Sequence, residues 1–133
     1  MLVMQAITIP DQIFNYHKNK VDFIKRYIFP GSCIPSLKAM LDAAVKASDL
    51  RLTHLEDITP HYATTLRIWR ERFFARLEEV KAQGFHDNFI RMWEYYLSYC
   101  EAGFAERYLG DQQLVFTKPK GRHEPILPSL EKS

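Results

Sequence analysis

The sequence predicts an α/β fold built on an open sheet, and a sheet that is incomplete on its own. Three observations carry this. Three strand-like segments alternate with helical stretches in the order strand, two helices, strand, two long helices, strand. The first strand is apolar with little polar alternation, as expected of a strand covered on both faces. Such a strand needs covering helices and parallel neighbours, and no element precedes it here, so the chain reads as truncated.

The first strand is the run Leu2 to Ile9, stopped by Pro10. A helical pattern follows from Asp11 through Phe14, Val21, Ile24 and Ile28, and Pro30-Gly31 ends it. Ser36 is placed to cap a short helix from Leu37 to about Ala47. Leu50 to Ile58 alternates enough to suggest a second strand. Thr59-Pro60 is a helix start, with proline in the first turn. Tyr62, Leu66, Trp69, Phe73, Leu77 and Val80 then recur at spacings of three and four, and Gly84 stops that helix. A second long helix carries Phe89, Trp93, Tyr96, Cys100 and Phe104 and ends near Gly110. Gln113 to Lys118 is the third strand. With three strands and about four helices, the first and third strands are expected at the edges of the sheet.

Composition narrows the function classes. The 133 residues suffice for one core, and 47% hydrophobic content excludes a wholly disordered chain. A net charge of +2 gives no electrostatic case for nucleic acid. Cys33 and Cys100 form neither a disulfide framework nor a zinc pattern, which points to a reducing cytoplasm. His17, His54, His61, His86 and His123 show no metal-ligand spacing. The five glycines are scattered, with no dinucleotide or phosphate loop. Most aromatic residues cluster between Tyr62 and Tyr108.

Three stretches are more specific. They are Asp22-Phe-Ile-Lys-Arg-Tyr-Ile-Phe-Pro-Gly-Ser-Cys-Ile-Pro35, Pro60-His-Tyr-Ala-Thr-Thr-Leu-Arg-Ile-Trp69, and Met92-Trp-Glu-Tyr-Tyr-Leu-Ser-Tyr-Cys-Glu-Ala-Gly-Phe104, the last followed by Gln113-Leu-Val-Phe116. In order and separation they resemble the C-terminal part of the cyclopropane-fatty-acyl-phospholipid synthases, a family that includes the mycolic acid cyclopropane synthases. The resemblance covers residues 2 to about 118. It implies the C-terminal half of a Rossmann-like methyltransferase sheet, the last three of seven strands with the final one antiparallel. Residues 1–118 then form part of a methyltransferase domain with acyl-channel helices, and residues 119–133 a loose tail.

The family transfers a methyl group from S-adenosylmethionine to a cis double bond of a phospholipid acyl chain; the carbocation loses a proton, with bound bicarbonate as base, and closes to a cyclopropane. By this resemblance Tyr62 is the catalytic tyrosine that hydrogen-bonds the bicarbonate. A phenol suits that place because it donates a strong hydrogen bond while staying neutral at pH 7. A core tyrosine at the start of an amphipathic helix is the plainer alternative. Phe29, Leu66, Tyr96, Cys100 and Phe104 match residues that line the family's acyl channel, where aromatic faces also favour a transient cation. Helix–helix packing predicts the same spacing, so channel and core remain open for each of the five. Cys100 reads as an apolar filler rather than a nucleophile.

The resemblance further implies that the donor site, with its glycine-rich loop, and the glutamate and histidine of the bicarbonate site lie outside this chain. The chain alone is then expected to bind neither S-adenosylmethionine nor bicarbonate and to be inactive. Its partners are an unsaturated phospholipid at the membrane surface and an N-terminal half supplied as a separate chain; its place is the cytoplasm, peripheral to the inner membrane. One departure is Ser32, where the family carries a second glycine; a positive φ there would cost on the order of 1 kcal/mol. Two other readings stay open: a related methyltransferase with a non-lipid substrate, and an inactive remnant or interaction module docking through the first strand.

Overall fold

The computed structural model describes residues 1–122. Its sheet has three strands, β1 (Leu2–Thr8), β2 (Arg51–Asp57) and β3 (Gly110–Thr117), in the order β1-β3-β2. The last strand in sequence is therefore the middle one in space. It runs antiparallel to both neighbours, with Leu2 opposite Phe116, Ile7 opposite Asp111 and Asp57 opposite Gln112. The antiparallel final strand agrees with the expectation. The edge position does not: the edges are β1 and β2, because β3 supplies hydrogen-bonding groups to both. A one-residue irregularity between Leu52 and His54 frees Thr53, whose hydroxyl donates to the Val115 carbonyl at 3.1 Å.

β1 is less covered than its composition suggests. Thr8 is its single buried residue, and Leu2 and Val3 are exposed. Among the described residues, no strand pairs with its outer edge.

The helices are α1 (Asp11–Asn19), α2 (Leu37–Ala47), α3 (Thr59–Ala75), α4 (Leu77–Ala82) and α5 (Asp87–Ala105), with one π-helical turn at Ile24–Ile28. The count exceeds the expected four because two continuous apolar patterns are interrupted. The first stops at Asn19, and the Lys25 ammonium group caps it by donating to the His17 carbonyl and, at 2.9 Å, to the Lys20 carbonyl. Asp22 then restarts the chain by accepting the Lys25 N–H at 2.9 Å. The wide turn closes with the Phe29 N–H donating to the Ile24 carbonyl at 2.8 Å, which fixes where Phe29 emerges. The second interruption lies at Arg76, between α3 and α4.

Other signals act where the sequence places them. The Ser36 hydroxyl accepts the Ala39 N–H at 3.2 Å and caps α2. Pro60 lies in the first turn of α3. Gly31 and Gly84 take positive φ, 79° and 88°, where side chains are disfavoured. Ser32 does not, so the serine departure leaves the Pro30-Gly31 turn unstrained.

α3 and α5 pack along each other over the sheet face that carries Ile7. Leu66, Leu97 and Phe104 form the buried centre of this contact, with Ile7, Tyr62 and Leu109 against it. Leu114 and Phe116 of the middle strand are also buried. The expected tail from 119 onward falls largely outside the described residues.

Candidate acyl-chain site

Tyr62 sits one turn into α3, and the start of that helix is clamped to the sheet. The Ile58 N–H donates to the Asp111 carbonyl at 2.9 Å, and the Asp111 N–H donates to Thr59 Oγ1 at 2.9 Å. The Thr59 N–H donates to Asp57 Oδ1 at 2.9 Å, and the Thr59 hydroxyl donates to the same oxygen. These bonds satisfy main-chain groups a helix start leaves open, and they hold Asp57 below the ordinary carboxylate range.

The Tyr62 ring is half-buried. It meets Phe104 edge-on at 4.8 Å between centroids and Trp69 at 6.3 Å. Burial first, and the nearby Asp111 carboxyl second, push its phenol above the usual value. The hydroxyl therefore stays protonated at neutral pH and is available as a neutral donor.

Asp111 was not singled out by sequence. It is fully buried; Gln5 Nε2 donates to its Oδ2 at 2.7 Å, and its Oδ1 has no protein partner. Desolvation raises its pKa, and the Gln5 bond partly opposes that. Its cue was weak: one acidic residue in front of an apolar strand, which reads as a turn.

The five residues assigned to an acyl channel divide. Phe29 and Tyr96 face each other edge-on at 6.2 Å and line an open cleft of about 570 Å³. Trp69, Phe73, Trp93 and Leu97 complete most of its apolar wall, and Trp93 lies 5.1 Å from Tyr96. Leu66 and Phe104 lie behind it in the α3–α5 core, each 2% exposed. Cys100 packs against the same core, and burial pushes its thiol up to about 11, which leaves it unreactive at neutral pH. Tyr62 connects to the cleft through Trp69. The periodicity that placed Trp69 and Phe73 on one face of α3 was the signal for their role.

His61, Glu56 and Asp57 are not part of the cleft lining. His61 is exposed. Glu56 and Asp57 are not a working pair, since Asp57 is bound by Thr59 and lies 3.5 Å from Arg107. Among the described residues, no group of three His, Cys, Asp or Glu side chains could hold a metal ion, and no helix is long and apolar enough to cross a membrane.

The chain and its fold have known counterparts. A family model described as mycolic acid cyclopropane synthetase matches residues 1–114. The chain is 43% identical over 108 residues to a tuberculostearic acid methyltransferase of Mycobacterium tuberculosis, covering 81% of this chain and 25% of that protein. It is 32% identical over 117 residues to the cyclopropane-fatty-acyl-phospholipid synthase of Escherichia coli, covering 82% of this chain and 30% of that one. The structure of the cyclopropane synthase MmaA2 from Mycobacterium tuberculosis superposes with a TM-score of 0.74 at 24% identity, over 87% of this chain and 43% of that one. The mycolic acid cyclopropane synthase CmaA1, complexed with SAH and CTAB, gives the same TM-score and coverage at 23% identity. The chain thus spans a quarter to a third of these curated relatives.

Proposed function

The chain belongs to the mycolic acid cyclopropane synthetase family, and from that premise we propose that it forms the acyl-chain side of a lipid methyltransferase. The observation that carries this is the aromatic cleft lined by Phe29, Trp93 and Tyr96 and joined to Tyr62 through Trp69. An extended hydrocarbon fits such a wall, and the aromatic faces favour a cation developing on the chain, by about 0.5–2 kcal/mol each.

The methyl donor in this reading is S-adenosylmethionine. Its site does not fit the residues present: the five glycines form no loop able to cradle it. Among the described residues the outer edge of β1 is unpaired, and this, together with the 43% coverage of the neighbouring structures, supports a site completed by elements that pair with β1. An N-terminal half supplied as a separate chain would fill that role.

For bicarbonate, the fitting group is the Tyr62 hydroxyl, a neutral donor in a half-buried setting. It would fix and orient an anion without adding charge, and the rest of that anion's partners would come from outside this chain. Leu66 and Phe104 would seat the Tyr62 ring and exclude water, while Cys100 fills space. The substrate is the unsaturated acyl chain of a phospholipid at a membrane surface, reached from the cytoplasmic side. A second reading, methyl addition without ring closure, is favoured by the greater identity to the tuberculostearic acid methyltransferase than to the cyclopropane synthase.

The test combines this chain with a donor-binding half and methyl-labelled S-adenosylmethionine. Label in cis-unsaturated acyl chains, reduced about 100-fold by Tyr62→Phe, is the expected result, and ring or branch distinguishes the two products. Label passing to small amines instead would overturn the lipid assignment.

A further inference from the structure

Three arginines lie on α3 and a fourth, Arg76, at the break that follows it, and they do not share one role. Arg67 pairs with Glu71 at 2.9 Å, and Arg70 pairs with Glu101 of α5 at 2.8 Å. Arg72, in the last turn of α3, and Arg76, just past its end, instead line the mouth of the aromatic cleft, and both are exposed. Among the described residues Arg72 forms no ion pair, and Arg76 reaches only Glu79, at 3.9 Å with both side chains largely in solvent. A contact of that kind contributes little, so two guanidinium groups, with the Glu79 carboxylate as the one acid in the same lining, stand beside an apolar wall. Trp69, 47% exposed, lies on the same helix face between the charged mouth and Tyr62. Charge outside and aromatic rings inside is the pattern of a site for an amphiphile with a negative head.

We propose that Arg72 and Arg76 are the head-group subsite of the acyl cleft and select phospholipids of net negative charge. The phosphodiester accepts hydrogen bonds from the guanidinium forks, which match its geometry, while the acyl chain lies against Phe29, Trp93 and Tyr96. This rests on the acyl-chain reading above and adds the lipid class. A zwitterionic head gains less, because its own cation meets the same two arginines.

The chain offers a built-in reporter, since its two tryptophans, Trp69 and Trp93, both line this cleft. The full-length chain is titrated with dihexanoyl-phosphatidylglycerol, dihexanoyl-phosphatidylcholine and inorganic phosphate while tryptophan emission is followed. Expected is binding about tenfold tighter for phosphatidylglycerol than for phosphatidylcholine. Arg72→Gln with Arg76→Gln should abolish that preference and leave phosphatidylcholine binding unchanged. Lysine at both positions should retain most of it, and Arg91→Gln, outside the cleft lining, should have no effect. Equal affinities in the unaltered chain, or a preference that survives the double glutamine variant, would overturn the head-group assignment while leaving the acyl cleft standing. A response to inorganic phosphate matching that to phosphatidylglycerol would also overturn it, in favour of a free-phosphate site. Failure of both lipids to bind would sink the cleft reading and this one together.

Discussion

The main-chain N–H of Asp111 donates to Thr59 Oγ1 at 2.9 Å, joining the middle strand to the first turn of the helix that carries Tyr62. Both residues are buried, so neither group can turn to water. Thr59→Val keeps the shape and removes the acceptor, leaving a buried donor unmet. The expected loss is about 1–3 kcal/mol, measured as a lower urea midpoint with an unchanged slope.

Phe104 and Phe29 separate core from cleft. Phe104 is 2% exposed beneath Tyr62, and Phe104→Ala should cost about 3–5 kcal/mol in chemical denaturation. Phe29 is 52% exposed. Phe29→Ala should cost under about 1 kcal/mol yet weaken dihexanoyl-lipid binding several-fold. Equal destabilisation by the two would show that Phe29 is a core residue.

Asp111 and Asp57 should pull stability in opposite directions with pH. The folded pKa of Asp111 is raised, so the native state holds its proton more tightly than the unfolded chain. Its contribution falls as pH climbs from the ordinary carboxylate value through the raised one. Asp57 is lowered, so its contribution is present above the unfolded value and is lost as pH falls through the folded one. Asp111→Asn removes the first effect alone. Relative to the unaltered chain, the variant should gain stability as pH climbs above the ordinary carboxylate value; parallel stability–pH curves would refute this.

The two cysteines should differ in reactivity. Cys33 is exposed, whereas the Cys100 thiol is pushed up to about 11. At pH 8 roughly one Cys100 in a thousand is thiolate. Iodoacetamide should modify Cys33 first in the folded chain and reach Cys100 only on unfolding, as read by peptide mass mapping.

Much of this was legible because local chemistry decided it. The serine before Leu37, the Thr59-Pro60 start and the aromatic period on α3 and α5 act over a few residues. The split of the first helical pattern depends on Lys25 reaching back to the carbonyls of His17 and Lys20, which apolar spacing does not encode. The central place of β3 is a pairing between distant segments, so strand pattern alone put it at an edge. Tyr62 was singled out through its motif alone, and Phe29 and Tyr96 line one cleft. Asp111 escaped notice because its burial comes from Gln5 and Thr59, far away in sequence. Arg72 and Arg76 carried no signal, since a helix pattern does not tell which charges overlook a cleft.

The position of β3 has a consequence for the order in which the molecule assembles. β1 and β2 touch each other only through it, and a ribosome makes it after both. The nascent chain can form its helices early, but the edges of β1 and β2 that β3 covers have no partner in this sheet until Gly110–Thr117 emerges. Until then the inner edge of the apolar run of β1 is exposed to wrong pairing. Growth at low temperature or with chaperone support should therefore raise the yield of folded chain, and stalling synthesis before Gly110 should leave an aggregation-prone product.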